Sequence, residues 1–61
     1  MNWTRPSDCV DNACPEWQVD PDDGTVWLRA SGTPDVVIKL RRDEWAALLR
    51  AAVRGEVTAL P

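Results

Sequence analysis

The chain has 61 residues, 7 basic and 10 acidic, for a net charge of −3. A chain this short forms one domain at most and has no room for both a core and a deep catalytic pocket. Its acidic balance argues against autonomous nucleic-acid binding, which needs cations to displace counterions from phosphate.

Residues 1–13 read as a loop-rich arm anchored by Trp3, polar and interrupted by Pro6. The opening MNWTRPSD lacks the apolar stretch of a signal peptide. No apolar run is long enough for a bilayer. A cytoplasmic protein without membrane contact is therefore expected, with Cys9 and Cys14 as thiols.

Residues 14–40 read as a three-stranded sheet. Glu16, Trp17, Gln18 and Val19 alternate polar with apolar, a strand signal. Pro21-Asp22-Asp23-Gly24 is a turn: Pro presets φ, the aspartates bond nearby backbone, and Gly accepts positive φ. In Thr25–Ser31, Val26, Leu28 and Ala30 face one way, and Trp27, Arg29 and Ser31 the other. Gly32-Thr33-Pro34-Asp35 forms the second turn. Val36–Leu40 is the third strand, with Val36, Ile38 and Leu40 on one face.

The period then changes from 2 to 3.6. Trp45, Leu48, Leu49, Ala52 and Val53 form one apolar stripe on a helix over 42–54. Asp43 and Glu44 suit its first turn, and Arg50 and Arg54 its end. Gly55 is placed to terminate it, whereas Arg41 offers no side-chain N-cap. The loop lengths pair Val19 with Val26 and Trp17 with Leu28, then Leu28 with Ile38 and Val26 with Leu40. The expected fold class is thus α+β: a three-stranded antiparallel meander with one C-terminal helix packed on one face. That helix should cover the face holding Trp17, Leu28 and Ile38, with Trp17 and Trp45 as core. Gln18, Trp27 and Lys39 form one row on the far face, and Glu16, Arg29 and Val37 the other.

Little of this sequence carries catalytic chemistry. There is no His, and the Asp20–Asp23 cluster places Gly24 at position 5 of an EF-hand pattern that requires Gly at 6. It reads as a plain hairpin turn. Two Cys five residues apart give neither four zinc ligands nor C-x-x-C redox spacing. The chain is expected not to be an enzyme and to need no cofactor or metal. Trp27 differs from the other tryptophans because its register turns it away from the helix. With Arg29 and Lys39 beside it and Glu16 on the next row, it marks the expected partner-binding surface, since Trp and Arg dominate binding hot spots. The same face, extended by Arg41 and Arg42, would serve a small nucleic-acid-binding domain as the alternative. Cys9 and Cys14 would serve a thiol- or metal-responsive sensor as a third reading.

Three segments carry a family resemblance: DNACPEW at Asp11–Trp17, VWLRAS at Val26–Ser31 and RRDEWAALLRAAVRGE at Arg41–Glu56. With Trp3 they make the chain similar to an actinobacterial family of small proteins, domain of unknown function 397. Trp3, Asn12, Cys14, Glu16, Val26, Leu28, Arg29, Ser31, Glu44, Trp45, Gly55 and Glu56 match the family's pattern. Ala30 stands where the family has Asp, Trp27 where a small residue is usual, and no helix-capping Thr occurs near Arg41. Members are typically encoded beside Xre-type helix-turn-helix regulators. The resemblance implies a regulatory accessory protein that binds such a regulator, as in a toxin–antitoxin-like pair. A homodimer is compatible with this reading, and the resemblance carries over no catalytic residue.

Overall fold

A computed structural model describes residues 2–10 and 13–58. Asn12, one of the positions matching the family pattern, lies outside them. Strands β1 (Pro15–Val19), β2 (Val26–Ala30) and β3 (Ile38–Leu40) form an antiparallel sheet in the order β1-β2-β3, and helix α1 (Arg42–Val53) follows. Every expected pairing is present: Val19 opposes Val26, Trp17 opposes Leu28, Leu28 opposes Ile38 and Val26 opposes Leu40. The third strand is shorter than the sequence suggests, because Val36 and Val37 lie outside the ladder.

Local chemistry accounts for the connections. In the first turn Asp20 accepts the Asp22 N–H at 2.9 Å, and Asp23 accepts both the N–H and the hydroxyl of Thr25 at 2.9 and 2.7 Å. Gly24 has φ +74° and lies under the Arg42 guanidinium, which stands 3.0 Å from where a β-carbon would be. A side chain there would meet both strain and a clash. At the helix start the Arg41 N–H donates to the Glu44 carboxylate at 2.8 Å. This is half of a capping box, the half that does not need an accepting side chain at the cap. At the other end Gly55 (φ +80°) donates to the Ala52 carbonyl and Glu56 to that of Ala51, a Schellman ending.

The helix sits on the predicted face, with its Trp45 ring 6.4 Å from that of Trp17 and tilted by 35°. Coverage stops there, which corrects the expected core. No residue of α1 is fully buried, and Ile38 remains 54% exposed. Trp17 and Trp45 are only half-buried. Contact near the helix start, through Trp45 on Trp17 and Arg42 on Gly24, leaves Leu48, Leu49 and Val53 of the apolar stripe exposed.

The far face is instead the better covered one. Thr4 exchanges two backbone hydrogen bonds with Trp17, at 2.8 and 2.9 Å, so the N-terminal arm lies along the free edge of β1. Strand alternation then puts Trp3 and Arg5 on the face of Glu16 and Gln18. Those two polar side chains join Cys14 and Val26 as the most buried of the described residues.

The cysteines also depart from expectation. Cys9 and Cys14 form a disulfide, with α-carbons 5.9 Å apart. The expected cell compartment does not fix local geometry: with a turn closed by the Cys9 N–H on the Pro6 carbonyl, the two residues lie within bridging range. By chain-entropy reasoning, closing so short a ring contributes about 2 kcal/mol.

Candidate functional site

Two surfaces compete for the role of a binding site. The far face carries all four residues singled out from the sequence. Glu16 is 4% exposed and bridges two arginines: Arg29 Nε donates to its Oε1 at 2.8 Å, and Arg5 donates to its Oε2. Glu16 is thus a structural anion rather than an open contact residue, which corrects its assignment. The Arg29 guanidinium also lies 4.0 Å from the centre of the Trp3 ring. Lys39 Nζ stands 4.4 Å from the centre of the Trp27 ring, and the Trp27 indole N–H donates to Thr25 Oγ1 at 3.2 Å. The structure therefore brings Glu16, Trp27, Arg29 and Lys39 together on one face, but engages each of them with its neighbours.

Charge follows this packing. The Glu16 carboxyl is held below its ordinary pKa of 4.5, first by the hydrogen bond from Arg29 and further by Arg5, with burial opposing. Asp23 is lowered from 3.8, first by the Thr25 N–H and then by its hydroxyl. A carboxylate whose pKa is depressed on folding adds stability that is complete above the unfolded value and lost as pH falls through the folded one. The melting temperature should hold above about pH 5 and drop steadily on acidification. Glu16→Gln should melt lower at neutral pH and show a shallower acid decline, with the remaining dependence coming partly from Asp23. Thermal unfolding followed by circular dichroism from pH 7 down to about pH 2 checks this. An unchanged slope in the variant would remove Glu16 from the account.

On the helix side the uncovered sheet forms a largely apolar groove of about 680 Å³ lined by Cys14, Pro15, Leu28, Val36 and Ile38, with Arg29 at its margin. Val36 and Ile38 are 64% and 54% exposed. A second, smaller hollow on α1 lies among Leu49, Arg50, Val53 and Arg54. No family model, curated protein or solved structure matches the chain. The geometry of these surfaces therefore carries the functional argument.

Sequence reasoning missed the groove because it assigned Leu28 and Ile38 to the contact with the helix. One signal was available: Val36, Ile38 and Leu40 extend the apolar face across a third strand, and a 12-residue helix anchored near its start leaves part of such a face open. Among the described residues no three His, Cys, Asp or Glu side chains stand together as metal ligands. No described helix is long and apolar enough to cross a membrane. Of the cations named for the nucleic-acid alternative, Arg29 is engaged by Glu16 and Trp3 and Lys39 lies over the Trp27 ring, while Arg41 and Arg42 are exposed at the helix start.

Proposed function

We propose that this protein is a small regulatory accessory protein that binds a partner protein through the apolar groove on the helix side of the sheet. The observation that carries this reading is the exposure of Ile38 and Val36 in a groove that the chain's own helix leaves open. A domain of this size hides its large apolar side chains where it can, and a contiguous apolar patch marks an interaction surface. The partner chemistry that fits is a helix presenting a ridge of leucine-like side chains, the helix-in-groove mode of recognition.

The family resemblance supplies a candidate: an Xre-type helix-turn-helix regulator encoded next to this chain, in a toxin–antitoxin-like or other regulatory pair. Membership of that family is part of the proposal. So is a binding role in place of a catalytic one, which the missing His and a largely apolar groove whose only charged lining residue among those described is Arg29 support. Co-expression of the chain with the regulator, followed by size-exclusion chromatography of the tagged complex, tests the pairing. A stable complex supports it; separate elution at micromolar concentrations would overturn it.

A further inference from the structure

The Cys9–Cys14 bond joins two segments that are held very differently. Cys14 is 1% exposed, and its backbone is fixed from the opposite side by Ser31. The Cys14 N–H donates to Ser31 Oγ at 2.8 Å, and its carbonyl accepts the Ser31 N–H at 2.8 Å. Cys9 is partly exposed and follows the arm. The arm is also held by the Thr4–Trp17 backbone pair, the Arg5–Glu16 ion pair and Trp3 against Arg29. Breaking the bond leaves Cys14 held by Ser31 and removes the covalent tie between it and the arm.

We propose that Cys9–Cys14 is a reversible thiol–disulfide exchange site that latches the N-terminal arm over the far face of the sheet, with a dithiol as its redox co-substrate. A thiolate of the dithiol attacks the accessible Cys9 Sγ. The Cys9–Cys14 bond breaks, a mixed disulfide forms, and Cys14 leaves as a thiolate that takes up a proton. The second thiol of the reductant then attacks its own sulfur in the mixed disulfide and releases Cys9, which is protonated in turn. The protein gains two electrons and two protons, and the dithiol loses the same.

Reduction has a defined structural consequence. The arm keeps only its noncovalent ties, so it opens more often. Each opening uncovers Glu16 and Arg29, which Arg5 and Trp3 otherwise cover. The oxidised and reduced chains thus present different far faces. Cys14 also lines the groove, but the test of this site needs no partner, so it succeeds or fails independently of the groove reading.

The test uses the isotope-labelled full chain, oxidised and then treated with dithiothreitol without denaturant. Alkylation and mass spectrometry count thiols, and amide hydrogen exchange is followed by NMR. Once dithiothreitol has been removed, alkylation in urea, which reaches the buried Cys14, should count two thiols per chain. The Thr4 and Trp17 amides, which make the arm's backbone bonds, should exchange about tenfold faster, while amides in the β2–β3 ladder keep their protection. Cys9→Ser should show the fast pattern with or without dithiothreitol. A bond that yields only after urea is added would overturn the proposal. So would unchanged exchange at Thr4 and Trp17, or equal acceleration across all strands.

Discussion

Trp45→Ala should detach the helix and leave the sheet paired. The 6.4 Å contact between the Trp45 and Trp17 rings is the main apolar tie of α1 to the sheet, because Leu48, Leu49 and Val53 remain exposed. Truncating a fully buried Trp costs about 3–5 kcal/mol, and a half-buried one should cost about 2–3 kcal/mol. A free helix of 12 residues is marginal in water even with good formers such as Ala46, Ala47 and Ala51. Its capping interactions at Glu44 and Gly55 do not alter that balance. Circular dichroism should therefore lose most of its helical signal at 222 nm, and the melting temperature should fall. The Trp17–Leu28 register and the disulfide should persist, because neither depends on α1. Trp17→Ala should produce the same loss of helix from the other side of the contact. A Trp45→Ala variant with native helicity and an unshifted melt would show that the Trp45–Trp17 contact is not what holds the helix.

The strand registers were readable in the sequence because two local signals fix them. Side chains alternate with period 2, and turn chemistry at Asp20–Gly24 sets which residues face each other. The helix and its ending were equally local, in the stripe from Trp45 to Val53 and in Gly55. What could not be read was which face each segment covers. Alternation assigns Glu16 and Gln18 to a polar face, and only a long-range pairing shows that the arm buries it. Trp3-Thr4-Arg5 is too short to register as a strand, yet Thr4 lengthens the sheet by one bridge and carries Arg5 onto Glu16. The disulfide was hidden for the same reason, since the approach of Cys9 to Cys14 depends on where the arm lies. Of the four residues chosen as a partner surface, all fall on one face as read. Their mutual engagement became visible only with the arm in place.

Ile38→Glu should abolish partner binding while the domain stays folded. Ile38 is 54% exposed on the short edge strand β3, so a charged side chain there meets water in the free protein and costs the fold little. In a complex that fills the groove, the same carboxylate would be desolvated against Leu28, Val36 and the partner's apolar ridge without a counterion. The expected loss is about 100-fold or more in affinity, the scale of a central hot spot. Trp27→Ala on the far face should leave affinity within about threefold of wild type, because its ring is engaged by Lys39 and Thr25 away from the groove. The deciding measurement is calorimetric titration of the purified helix-turn-helix regulator into wild type, Ile38→Glu and Trp27→Ala, each shown to be folded by circular dichroism. Groove docking predicts heat of binding for wild type and Trp27→Ala and none for Ile38→Glu. Wild-type affinity in Ile38→Glu, with binding lost in Trp27→Ala, would contradict it and move the interface to the far face.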